Sequence, residues 1–439
     1  MGQDSCLADV LSKISACGRK LDAWNRDKHE RMGRDIKANR LALKEANRLD
    51  NMLSWKQIVV LEEKLDSALD VEERYWGQRA KTDWLQHGDK NTRFFHSKAC
   101  ARKARNIVRG LQDDSGQWKE AKTEMVIIAS YFDNHFTSSN PSQENMDSIL
   151  DDIHQKISVQ QSCFLDSKFS GEEIRKVVFH MNPLKAFGND GLRALFFLKF
   201  WGTIGESVIF ACLRVLNMGG SVQDFNNTVI ALIPKIQNPV SMSDFRPISL
   251  CNVLYKIVSK VISNHFRCVL GDVISETQCA FVPGRLISDN TIVGFKCLHR
   301  LKRQKGKKGS MAFKLDMSKA YDRVEWEFLK GMMYRLGFSE KWVKLVMNCV
   351  STITFSFKLN GEIMGNIIPT RGLRQGVPLS RYLFLICVEV LSSLISKAIW
   401  SKKISGFNCS RKGPNISHLF FVDDSLLFTK ADNKNCQEV

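Results

Sequence analysis

In the segment HLFFVDDSLLF, residues 418–428, two apolar runs flank adjacent aspartates, the pattern of a β-hairpin that presents Asp423 and Asp424 at its tip. Alone this says little, because aspartate is an ordinary turn residue. A second carboxylate changes the weighting. In MAFKLDMSKAYDRV, residues 311–324, Asp316 closes an apolar strand-like run, and a carboxylate buried there is costly unless a cation pairs with it. If the two strands are neighbours, Asp316 comes against Asp423 and Asp424. Three carboxylates so close repel one another and hold their protons unless a hard divalent cation neutralises them. Two such ions about 3.5–4 Å apart can activate a hydroxyl, aim it at a phosphate and stabilise the leaving group.

Strands must carry these carboxylates, and alternating helices and strands are expected from residue 170 onward. SGEEIRKVVFHM starts with Ser170 and has Glu173 three residues on, a capping-box signature. TVIALIP (228–234) and MAFKLDM (311–317) predict short buried strands, EWEFLKGMMYRLG (325–337) a helix stopped by Gly337, and ITFSFKLNG (353–361) a strand running into a turn. The longest apolar run, YLFLICVEVL at 382–391, contains Glu389 and is far shorter than the roughly 20 residues that span a bilayer. It predicts a core helix, with no membrane partner. Ser380 predicts its N-cap, which makes position 381 the first helical residue.

Upstream, leucines recur at helical spacing from Leu41 to Leu69, and residues 1–136 are expected to form a helical basic region. The polar stretch 137–162, with Pro141, predicts a linker. No internal repeat is present.

The 439 residues carry 64 Lys and Arg against 46 Asp and Glu, a formal charge of +18, which favours a polyanionic partner. TRFFHSKACARKARNIVRG (92–110) interleaves basic residues with Phe94 and Phe95, a mixture suited to phosphate contact and base stacking. An amphipathic helix with core phenylalanines and solvated arginines accounts for it equally well. HRLKRQKGKKG (299–309) reads as a basic tether. The thirteen cysteines form no CxxC pattern, so neither a disulfide framework nor a zinc site is indicated and an intracellular location, nuclear or cytoplasmic, is expected.

The strings FRPISL (245–250), AFVPGRLISDN (280–290), KLDMSKAYDRVEW (314–326), RGLRQGVPLS (371–380) and FFVDDSLLF (420–428) stand in the order found in LINE-type reverse transcriptases, those of non-LTR retrotransposons, which the chain resembles. WLQHGDKNTRFFH (84–96) and NPLKAFGNDG (182–191) are similar to plant-type members. The resemblance implies an α+β fold, a polymerase fingers and palm with a mixed sheet and helices on one face, after a mainly α-helical N-terminal arm. Fingers and their N-terminal extension would occupy 163–310 and the palm 311–439. A fragment is expected, with the palm truncated and the thumb, endonuclease and RNase H segments absent.

The implied activity is RNA-directed DNA synthesis, with an RNA template, a DNA primer, dNTPs and two Mg2+ ions, Mn2+ substituting; no oligomeric state is implied. Asp316, Asp423 and Asp424 match the catalytic metal ligands, with the Met317 carbonyl as a further ligand. Tyr321 matches the aromatic beneath the deoxyribose, and Gln375 and Gly376 match the turn lining the incoming nucleotide. Arg246 and Lys235 match fingers cations that meet triphosphate or template. Arg285, Arg93, Arg102, Lys103 and Arg105 are the expected nucleic-acid contacts. The chain departs from the family at Val377 (usually Asp), Arg381 (usually Pro) and Val422 (commonly Ala), and lacks the prolines usual near Phe187 and Asn189. The alternative is a catalytically inactive nucleic-acid-binding remnant or a maturase-like RNA-binding cofactor.

Overall fold

A computed structural model describes residues 4–48, 55–80, 92–113, 115–120, 123–304, 309–410 and 413–438. Residues 84–91 of the WLQHGDKN motif and 305–308 of the basic tether lie outside them. The chain forms two compact units, one of Met1–Glu124, Leu232–Arg246 and Lys358–Glu362, the other of Met125–Ala231, Pro247–Phe357 and Ile363–Val439.

In the smaller unit the expected helices are Asp4–Ala46, Trp55–Ala80 and Thr92–Asn106. The first two run antiparallel. His29 meets the Tyr75 ring at 4.2 Å, while Asp35 and Asn39 line one cleft with Val60 and Lys64, so numbers rise along one helix as they fall along the other. Trp76 meets His96 of the third helix at 4.3 Å. Phe95 is buried, so this ring belongs to the core and not to a stacking surface. Arg93, Arg102, Lys103 and Arg105 are exposed.

The larger unit is built round an antiparallel sheet in which Asp424–Lys430 lies between His418–Phe421 and Ser310–Asp316. A parallel bridge from Gln278 to Phe420 makes its edge mixed. The helix Ile287–Arg303 covers one face, where Cys297, Phe407, Leu419 and Phe428 form a buried cluster. The strands Thr354–Leu359 and Glu362–Ile367 follow one another in the chain, joined by Asn360 and Gly361, both at positive φ, the conformation of a two-residue hairpin turn. The Ser170 capping box forms as expected, and Gly337 ends the helix Trp326–Leu336 at φ 94.

Three expectations change. The segment 137–162 holds the helix Gln143–Leu150, capped by Ser142, and the start of Val159–Leu165. Ser138 and Ser139 hydroxyls donate to Glu325 at 2.6 and 2.9 Å, so its opening loop is fastened down. The apolar run at 382–391 is the middle of a longer helix, Pro378–Trp400, long and apolar enough by length and composition to cross a membrane. Its buried Glu389 accepts from Lys156 Nζ at 2.6 Å and from the Ser275 N–H at 3.0 Å, which a core helix requires and a lipid-facing one does not. Finally, this helix starts earlier than predicted: Val377 is the N-cap and Pro378 opens the helix. Proline at the first position is the stronger signal, since its missing N–H is not needed there. Arg381 therefore lies inside the first turns, with its guanidinium over the Tyr382 and Phe281 rings at 4.7 and 5.2 Å.

Candidate active site

The antiparallel ladder sets Asp316, the last residue of its strand, directly opposite Asp424, the first residue of the next. Asp423 sits one residue earlier, in the two-residue turn with Val422 that joins Phe421 to Asp424. Asp316 and Asp424 are exposed and Asp423 is half-buried, so Asp316 closes its strand in solvent rather than in the buried setting expected. Like charges directly opposite in a ladder destabilise it. Lys314 offsets part of this, its ammonium 3.1 Å from Asp424 Oδ1. Oxygen ligands from open carboxylates suit a hard divalent cation, and on that chemistry the donor set fits magnesium. Among the described residues, no three His, Cys, Asp or Glu side chains are already gathered as a metal cluster.

The turn itself is held from behind. Val422 has φ 58, a left-handed conformation that a β-branched residue adopts only at a cost, so Val in place of Ala does more here than enlarge a side chain. The buried Gln278 side chain accepts the Val422 N–H at 3.2 Å and the Ala280 N–H at 3.0 Å. Asn290 donates to the carbonyls of Thr277 and Phe420, both at 2.8 Å. Sequence reasoning did not single out Gln278 or Asn290, although Asn290 closes the AFVPGRLISDN string.

Tyr321 starts a short 3-10 turn after the Asp316 strand. Its ring stacks on Phe384 at 4.6 Å and 19°. Burial, reinforced by the negative charge of Asp423, pushes its hydroxyl up to about 12, which places Tyr321 in the field of the hairpin tip. Backbone bonds from Leu373 to Tyr321 and from Gly372 to Val324, both 2.8 Å, tie this turn to the RQG segment. There Gln375 Nε2 donates to Asp322 at 3.4 Å, and the other Asp322 oxygen is 3.4 Å from His135 Nε2, with both Asp322 and His135 buried. Gly376 has φ 90, and an added Cβ would meet nothing within 4 Å. Conformation, not crowding, requires glycine there.

Two arginines do structural work that their sequence context did not show. Arg285, expected on nucleic acid, donates to four carbonyls: Ser275 at 2.5 Å, Gln278 and Ile274 at 2.8 Å, and Gly271 at 3.2 Å. It satisfies the C-terminal end of the helix Val253–Val273, where carbonyls lack partners and a cation is favoured. Arg374, not singled out, is buried with its guanidinium 3.6 Å from the Tyr255 ring and donates to Asn226 at 2.6 Å and the Cys349 carbonyl at 2.8 Å. Lys235 and Arg246 are exposed in the smaller unit, and Lys235 Nζ donates to the Ser243 carbonyl at 2.8 Å.

Residues 233–439 match the family model described as reverse transcriptase (RNA-dependent DNA polymerase). This stretch, somewhat under half of the chain, is similar to reverse transcriptases. The chain is 26% identical over 368 residues to the transposon TX1 uncharacterized 149 kDa protein of Xenopus laevis, covering 82% of this chain and 27% of that protein. It is 26% identical over 224 residues to the Pol polyprotein of the type-2 retrotransposable element R2DM of Drosophila melanogaster, covering 50% and 20%. An uncharacterized mitochondrial protein of Arabidopsis thaliana is 48% identical over 69 residues, 16% of this chain and 57% of that one. The chain thus spans about a quarter of the TX1 protein and a fifth of the R2DM polyprotein.

Proposed function

We propose that this chain is the polymerase core of a non-LTR retroelement, adding deoxynucleotides to a primer 3′-hydroxyl on an RNA template. The observation that carries this reading is Asp316 in direct register with Asp424, with Asp423 in the adjoining turn and its charge felt by Tyr321. Asp316, Asp423, Asp424 and the Met317 carbonyl would hold two magnesium ions, which when bound supply the Lewis acidity and charge that nucleotidyl transfer needs.

The chain's own groups do the rest. Tyr321 keeps a neutral hydroxyl at working pH, and its ring, backed by Phe384, excludes a 2′-hydroxyl by bulk. Gln375, held by Asp322, and Gly376 would line the incoming base and sugar. Arg246 and Lys235 would meet triphosphate or template, and Arg93, Arg102, Lys103 and Arg105 the phosphate backbone.

Primer extension on an RNA template with magnesium tests the proposal. Asp423→Asn or Asp424→Asn is expected to abolish extension and leave nucleic-acid binding unchanged, and Tyr321→Val to admit ribonucleotides. Extension by the Asn variants at the parent rate removes the metal-ligand assignment. A parent chain that binds template-primer but never extends it removes the polymerase reading.

A further inference from the structure

Two thiols distant in sequence meet behind the sheet that carries the aspartates. Cys297, on the helix Ile287–Arg303, is fully buried, and Cys409, just after the short strand Phe407–Asn408, is half-buried. Their Sγ atoms are 2.8 Å apart although 112 residues separate them. Non-bonded atoms ordinarily sit at about 3.5–4.0 Å, and a disulfide is about 2.05 Å long, so less than about 1 Å of movement separates contact from a bond. The backbones on both sides are fixed. Cys297 shares a core cluster with Phe407, Leu419 and Phe428, and Leu301, Ala312 and Ile416 pack round it. Phe407 pairs with Ile416 across a short ladder, and the Phe428 N–H donates to the Ser417 carbonyl at 2.7 Å.

We propose that Cys297 and Cys409 are a disulfide-forming pair, a redox modification site that fastens the helix Ile287–Arg303 to the aspartate-bearing sheet when a small disulfide such as oxidised glutathione is present. The inference does not rest on the polymerase reading. Cys409 is the sulfur that an oxidant reaches. Its thiolate attacks glutathione disulfide, one glutathione leaves as a thiolate, and a mixed disulfide stays on Cys409. The Cys297 sulfur then displaces the second glutathione, and its proton passes to that leaving thiolate. Two protein thiols are oxidised to one disulfide, and one glutathione disulfide is reduced to two glutathiones. Burial and the neighbouring Cys409 sulfur push the Cys297 thiol up to about 12, so the second displacement is the slow one and quickens as pH rises.

The bond would close a long loop and remove freedom from the unfolded chain. The test uses the full chain, incubated with oxidised glutathione or with a reductant at pH 8.5, alkylated and mapped by mass spectrometry without reduction. The expected result is one linked peptide pair, Cys297 with Cys409, and a melting temperature roughly 3–10 °C above the reduced chain. Cys409→Ser, at a half-buried position, should fold as the parent does and show no such rise. A Cys409 that ends glutathionylated or linked to another cysteine overturns the proposal. So does a Cys297–Cys409 link that leaves the melting temperature unchanged or lower.

Discussion

His418 opens the first hairpin strand with both ring nitrogens engaged, Nε2 with the Ser392 and Thr277 hydroxyls at 2.8 and 3.0 Å and Nδ1 with the Ser417 hydroxyl at 2.8 Å. Burial pushes its pKa down to about 4. Below pH 6.5 the unfolded chain takes up a proton that folded His418 refuses, so its contribution to stability is complete above 6.5 and is lost as pH falls through 4. Asp190, in the NPLKAFGNDG string, behaves oppositely. Desolvation pushes it up to about 6, so its contribution is complete below 3.8 and is lost as pH rises through 6. Between pH 4 and 6 the two slopes oppose, each about 1.4 kcal/mol per pH unit. Asp190→Asn should therefore lose stability on acidification from pH 6.5 to 4 by roughly 3 kcal/mol relative to the parent, and His418→Asn should gain a similar amount over the same fall. Urea unfolding at several pH values reads both. Curves for the parent and His418→Asn that stay parallel from pH 4 to 6.5 would return His418 to an ordinary exposed-type titration.

Helix Pro378–Trp400 begins without a side-chain cap, because Val377 stands at the N-cap. The helix Val253–Val273 supplies the missing acceptor: the Leu379 N–H donates to the buried Ser259 hydroxyl at 3.3 Å. Ser259→Ala should leave that donor buried and unpaired, at a cost of about 1–3 kcal/mol. An aspartate at 377 can accept from the same N–H as an N-cap, so Val377→Asp should recover about 1 kcal/mol in the Ser259→Ala background and much less in the parent. A double-mutant cycle by urea unfolding measures the coupling, and simple additivity would show that Ser259 does not stand in for the cap. Sequence reasoning erred here by choosing Ser380 for its residue type when Pro378 already marked the first turn. The hairpin, the Asp316 strand, the Ser170 capping box and the Gly337 stop were legible, because local periodicity and turn chemistry fix them within a dozen residues. Gln278 under Val422, Asp322 under Gln375 and Arg374 over Tyr255 were not. Their partners include Val422 at 144 residues' separation, Asp322 at 53 and Asn226 at 148, and no local pattern carries such pairings. The four carbonyls that Arg285 meets were not legible for the same reason: a loop arginine looks alike from the sequence whatever receives it.

For the whole molecule, charge makes the testable statement. An excess of 18 positive charges exceeds what solubility alone needs, and binding driven by phosphate neutralisation releases counterions, so affinity for a template-primer should fall steeply with salt. If six or more phosphates are neutralised, the loss between 50 and 200 mM salt is roughly 10³-fold or more. The structure narrows which cations contribute. Arg285 is committed to four carbonyls and Arg374 is buried, so neither should alter the salt slope except by disturbing the fold. Arg93, Arg102, Lys103 and Arg105 are all exposed on one 15-residue helix. Replacing these four with alanine should lower the slope by about 3–4 and weaken binding to all sequences alike. Asp423→Asn, which removes no cation, should leave the slope at the parent value. Fluorescence anisotropy with a labelled RNA–DNA hybrid across a salt series reads each slope, and a quadruple variant with the parent slope would move the phosphate track off this helix.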